Sequence, residues 1–80
     1  MSARLIKMLA IGKVVVRNTT QGEVLVNYPA TADSKNDHMV VPPMGRLDLT
    51  KYATTKQLRR SPNLAELLRK GFLTVEDPAV

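Results

Sequence analysis

Two helix starts follow one another in the last third of this chain, and they constrain its fold more than any other feature. Thr54-Thr55-Lys56-Gln57 spells a capping box. The Thr54 hydroxyl can accept from the backbone N–H three residues on, and the Gln57 side chain can reach back to the Thr54 N–H. Leu58 is the one large apolar residue of the short helix that follows. Ser61-Pro62 then starts a second helix, with serine as cap and proline at the first helical position, where its missing N–H is not needed. Leu64, Leu67 and Leu68 share one stripe of that helix, a spacing that ordinary core packing explains. Arg69 and Lys70 suit its negative end, and Gly71 stops it. Phe72-Leu73-Thr74-Val75 returns as a short strand. The expectation is a C-terminal helical hairpin with a return strand.

The preceding residues favour strands. Lys13-Val14-Val15-Val16-Arg17-Asn18 is β-branched, and Glu23-Val24-Leu25-Val26-Asn27-Tyr28 alternates with Val24, Val26 and Tyr28 on one face. The polar stretch Thr19-Thr20-Gln21-Gly22 between them predicts a turn, so the two strands are expected to form a hairpin. Residues 29–37 lack any apolar period and predict a loop, of a length that suggests a mobile excursion. His38-Met39-Val40-Val41 predicts a third strand, ended by Pro42, and Arg46-Leu47-Asp48-Leu49 leads on from the Pro42-Pro43-Met44-Gly45 turn. The fold class expected is α+β: a small β-rich body of a hairpin and short strands, then the helical hairpin and return strand, in a single domain over residues 1–80.

The N-terminal segment Arg4-Leu5-Ile6-Lys7-Met8-Leu9-Ala10-Ile11 admits two readings. Ile6, Met8 and Ala10 alternate with Leu5, Lys7, Leu9 and Ile11, which suits a strand with two apolar faces. A short helix would instead gather Leu5, Met8 and Leu9 and stop at Gly12. The strand is preferred, running on toward Val16 with a kink at Gly12. Residues 1–11 are apolar and basic enough to act as an extended arm, so Leu5, Ile6, Met8, Leu9 and Ile11 are candidates for a protein interface, with Met44 of the proline turn beside them.

Size sharpens that expectation. A domain of 80 residues buries a thin core, and such domains lean on disulfides, a metal or a partner. There is no cysteine, and His38 is the only histidine, so neither a disulfide nor a zinc site is expected. What remains is a partner or a well-packed core of Leu, Val, Ile and Met, and with Tyr28, Tyr52 and Phe72 the only aromatic residues that core is aliphatic and light, which favours a partner. No stretch is long and apolar enough to span a membrane. Met1 to Ala10 is a poor signal peptide, because Lys7 interrupts its apolar region.

The net charge of +5 is unevenly spread. Arg4, Lys7, Lys13 and Arg17 make the first region basic, while Glu23, Asp33 and Asp37 outweigh Lys35 in the next. Lys56, Arg59, Arg60, Arg69 and Lys70 form a second basic cluster relieved only by Glu66, and Glu76 with Asp77 makes the end acidic. The second cluster is the candidate basic face, able to grip phosphates on two short helices. It offers few base readers beyond Asn63 and Glu66, and no aromatic for stacking, so a solvated face is the simpler explanation.

Catalytic sets are weak. Ser34, Asp37 and His38 assemble a triad only on paper, within one loop and without a glycine-framed nucleophile turn. Asp33 with Asp37, and Glu76 with Asp77, most simply keep a loop and a tail soluble. Gly12, Gly22, Gly45 and Gly71 each stand alone, so no phosphate-binding loop is present. No enzyme activity, cofactor or small-molecule substrate is expected.

The run Val40-Val41-Pro42-Pro43-Met44-Gly45-Arg46-Leu47-Asp48-Leu49-Thr50, together with Leu58 to Leu73, resembles small structural proteins of tailed bacteriophages. Those proteins share a strand ending in a proline-glycine turn, an Asp-Leu-Ser/Thr step, a Ser-Pro-Asn/Asp-Leu cap, a leucine helix and a glycine-terminated return strand. The likeness covers Val14 to Val75 in layout, while its specific motifs lie within Val40 to Leu73; Met1 to Ile11 has no counterpart. What it implies is a minor virion component of head, neck or tail. Such a protein is assembled in the host cytoplasm and packs as a homo-oligomer or against a larger virion structural protein. The resemblance carries no catalytic residues. Nucleic acid is the alternative partner.

Overall fold

A computed structural model of the chain describes residues 3–76. Helix α1 (Ala3–Ile11) is followed by strands β1 (Val15–Asn18), β2 (Val24–Asn27), β3 (His38–Val41) and β4 (Arg46–Asp48). A 3-10 turn over Leu49–Lys51 then leads to α2 (Thr55–Arg59), α3 (Pro62–Arg69) and β5 (Leu73–Glu76). The strands make two antiparallel sheets: a three-stranded one ordered β4-β1-β5, and a ribbon of β2 with β3.

The N-terminal segment is a helix, against the strand and extended-arm reading. A strand would have set Lys7 on the same face as Leu5, Leu9 and Ile11. The helix turns Lys7 to solvent and buries Leu5, Met8 and Leu9 together. Gly12 decides the matter, because it takes the left-handed conformation (φ 87°) that ends helices rather than kinking a strand. Its N–H donates to Leu9 O (3.2 Å), and the Lys13 N–H donates to Met8 O (3.2 Å). That pair of bonds satisfies the Met8 and Leu9 carbonyls in the last turn of the helix. Gly71 (φ 81°) closes α3 in the same way, with bonds from Gly71 N–H to Leu68 O and from Phe72 N–H to Leu67 O.

The expected hairpin of β1 with β2 is not formed. β1 is the central strand of its sheet, so both of its edges are taken, Val16 pairing with Leu47 of β4 and Val75 of β5. The chain is diverted at Asn18, whose buried side chain donates to Gly22 O (2.8 Å) and Val41 O (3.1 Å) and accepts from Thr20 N–H (2.8 Å). An Asx-type turn of this kind redirects the backbone where a two-residue hairpin turn would have reversed it. β2 therefore pairs with β3, across the loop of residues 29–37.

Both helix starts are as the sequence specifies. Thr54 Oγ1 accepts from Gln57 N–H (3.1 Å), Gln57 Oε1 accepts from Thr54 N–H (3.0 Å), and Ser61 Oγ accepts from Leu64 N–H (3.0 Å). The helices do not form a self-contained hairpin. α2 packs on α1, whereas α3 packs on β2 and β5, because Leu58 and Leu64 point into one shared core. That core joins Leu5, Met8 and Leu9 to Val14, Val16, Val26, Val41, Leu49 and Leu73, with Tyr28 as its aromatic member.

Candidate functional site

The ribbon carries the most unusual surface. Alternation along β2 and β3 sends Val24, Val26, Met39 and Val41 inward. The opposite face presents Leu25 and Val40, which are direct cross-strand partners and remain 48% and 44% exposed. An apolar pair of this kind on a two-stranded ribbon has no layer over it. Glu23, Asn27 and His38 surround it on the same strands or their ends.

The two edges of the ribbon differ. On β2, Asn27 N–H donates to Asn63 Oδ1 (2.8 Å) and Asn27 O accepts from the Ser61 hydroxyl, so the start of α3 closes that edge. On β3, the bond from Tyr28 N–H to Asp37 O (2.9 Å) sets the alternation. Asp37, Met39 and Val41 therefore address β2, and the backbone groups of His38 and Val40 point away from it. No described residue hydrogen-bonds those outward groups, and β2 is the principal neighbour of β3.

The loop before β3 is fastened, contrary to the expected excursion. Gln57 is fully buried, and its Nε2 donates to Pro29 O (2.9 Å) and Asn36 O (2.8 Å), with a longer bond to Ser34 O (3.4 Å). Asn36 Nδ2 adds bonds to Tyr28 Oη (2.8 Å) and Tyr52 O (3.0 Å). Burial, and the negative charge of Asp37 nearby, push the Tyr28 phenol above its ordinary range. The capping box foretold one end of Gln57; nothing in the local sequence signalled what its amide would reach.

The interface candidates divide. Leu5, Met8 and Leu9 are buried in this chain's own core, which corrects their assignment to a partner-binding arm: the helical stripe that gathers them faces inward. Ile6 and Ile11 lie on the exposed side of α1. Met44 is exposed in the turn closed by Gly45 N–H on Pro42 O (3.0 Å), and it takes a left-handed conformation (φ 54°) at a position where such turns favour glycine or asparagine. Met44 N–H donates to Thr20 O (3.1 Å) and Thr19 N–H to Phe72 O (3.0 Å), so the exposed Met44 and Phe72 flank the same end of β1. Phase alone could have separated the buried from the exposed residues of α1, had the helix been preferred.

The basic candidates divide as well. Arg69 and Lys70 gather around Glu66, three and four residues further along the chain, and the hydrogen bond from Arg69 holds the Glu66 carboxyl below its ordinary range. Lys56, Arg59 and Arg60 are exposed at α2, and no described carboxylate pairs with them. On the outer face of the three-stranded sheet, Glu76 bridges Arg46 (2.8 Å) and Arg17 (3.9 Å). Glu76 is thus a strand residue rather than part of a tail; Asp77 to Val80 lie outside the described residues.

Asp37 and His38 do meet, Nδ1 to Oδ1 at 2.6 Å, but both are largely exposed, and no serine hydroxyl hydrogen-bonds the imidazole among the described residues. Nor do the described residues group three metal-ligating side chains or include a helix long and apolar enough to cross a membrane. No family model, curated protein or solved structure matches this chain.

Proposed function

We propose that this chain is a non-catalytic assembly protein that packs against copies of itself or a larger structural protein. Following the likeness of residues 40–73, it is a minor component of a tailed-phage particle. The observation that carries the reading is the ribbon: an uncovered Leu25–Val40 pair beside a strand edge with free backbone groups. Sheet faces and edges of this kind are where chains add to one another. Helix α1 adds only Ile6 and Ile11 to the exposed apolar surface, since Leu5, Met8 and Leu9 are core.

A second reading rests on Lys56, Arg59 and Arg60, the cations of α2 without a described carboxylate: a nucleic-acid-binding module. One pair of experiments separates the two. Sedimentation over a concentration series reads assembly, and binding to random DNA over a salt series reads phosphate contact. The assembly reading expects association that persists in salt, with no DNA binding at low salt. A compact monomer that binds DNA with a steep salt slope would replace it with the second reading.

A further inference from the structure

The open edge of β3 is self-complementary, and we infer that two copies of this chain pair β3 to β3 about a two-fold axis through Met39, fusing their ribbons into one four-stranded sheet. The inference deepens the assembly reading and rests on it.

The outward groups of β3 form a short window. His38 and Val40 each present an N–H and a C=O to the outside, with Met39 midway between them. The window is closed at both ends by groups already in use. Past Val40, Pro42 has no N–H, and its carbonyl accepts from Gly45 N–H (3.0 Å). Before His38, the Asn36 carbonyl accepts from Gln57 Nε2 (2.8 Å).

An antiparallel partner centred on Met39 sets His38 against Val40 of the second copy, and Val40 against His38. Every outward group of both residues then finds a partner across the axis. The same register sets Pro42 against Asn36 of the other copy, where the proline has no N–H to give and the Asn36 carbonyl needs none. A register centred on Val40 would set Pro42 against His38 and leave the His38 carbonyl without a donor. One centred on His38 would ask the Asn36 carbonyl, already held by Gln57, to accept again. The Met39 register alone wastes nothing, and it is the match of the window to its own reverse that selects a second copy over an unrelated strand.

Side chains agree with it. Met39 would face its counterpart across the axis on the core side, where it is already buried, continuing the inner layer of each ribbon. His38–Val41 also contains no lysine, arginine or carboxylate, so the +5 charge of the chain is not concentrated at the contact.

The test is a proline on the outward edge. Val40→Pro removes an N–H that the monomer does not use and leaves the β2–β3 ladder intact, because edge positions facing solvent tolerate proline. Sedimentation equilibrium of wild type and V40P, with thermal melts of both, is the measurement. The expected result is a wild-type dimer and a V40P chain that dimerises about tenfold more weakly or worse, yet melts as wild type does at dilutions where both are monomeric. His38→Pro, which removes the other outward N–H, should act alike. A wild type that dimerises equally well as V40P overturns the edge pairing while leaving assembly through another surface standing. A wild type monomeric at about 1 mM, where even a weak dimer of Kd near 1 mM would register, overturns the pairing. Failure of both proline variants to fold would show that the edge is not free, and would overturn it too.

Discussion

The two sheets of this molecule are finished to different degrees. The three-stranded sheet has a central strand, β1, paired on both sides, and on its β5 edge Arg4 Nη1 donates to Val75 O (3.2 Å). Its β4 edge is short and runs at once into a 3-10 turn capped by Asp48, which accepts from Thr50 N–H (3.0 Å). Its outer face is charged, with Glu76 bridging Arg17 and Arg46. The ribbon has none of these devices on β3, and its outer face is Leu25 with Val40. Two-stranded ribbons are marginal alone in water. This one is held by polar side chains sent from elsewhere: Asn18 from β1, Gln57 from α2, and Ser61 and Asn63 at the start of α3. One sheet thus turns ion pairs to the outside, and the other an apolar pair that no described residue covers.

Perturbing each half should break or sharpen that contrast. The largest effect belongs to α1, whose buried stripe packs into the core that both sheets share. Leu5→Ala should cost about 3 kcal/mol in a denaturant titration, because it opens a cavity under a residue that is 1% exposed. A loss below about 0.5 kcal/mol would return α1 to the role of an arm.

Next comes the ribbon's anchor. Gln57→Leu should cost about 2 kcal/mol, since it takes the donor from the carbonyls of Pro29 and Asn36 and removes half of the capping box. Amides of residues 29–37 should then exchange faster than those of β1. Equal acceleration in both sheets would mean that the ribbon has no separate support.

The phenol of Tyr28 ties the same loop to pH. Its pKa is raised in the folded chain, so the folded state holds the proton longer than the unfolded one, and stability must fall as pH climbs above about 10. Tyr28→Phe should flatten that alkaline loss in melts across the range, and an unchanged slope would place its cause elsewhere.

The smallest effect is expected on the finished face. Glu76→Gln should cost about 0.5 kcal/mol or less, and salt should shrink the difference, because pairs this exposed on the arginine side are worth little. A loss above about 2 kcal/mol would show that the charged face stabilises the sheet as well as solvating it.

What the sequence made legible followed the range of the interactions. The Thr54–Gln57 box, the Ser61-Pro62 cap and the Gly71 stop are written within a few residues and appear as written. The β1–β2 hairpin failed because Asn18 spends its amide on Val41 O, a partner far along the chain that no local pattern announces. The strand expected over the N-terminal segment failed for a different reason: a short apolar segment satisfies two periods at once, and only the positive φ of Gly12 chooses between them. Of the interface candidates, Ile6, Ile11 and Met44 are exposed, and so are Leu25 and Val40, which read locally as ordinary strand residues. Their exposure depends on which strands pair, and pairing was the least local property of all.

The central claim, that the ribbon is where this chain assembles, is tested most directly by residue-resolved hydrogen exchange at two protein concentrations. At dilution the outward amides of His38 and Val40 should exchange freely. At a concentration where sedimentation shows association, they should gain protection while the amides of Arg17 and Thr74 in the finished sheet hold theirs unchanged. Association without any gain of protection at His38 and Val40 would contradict the account.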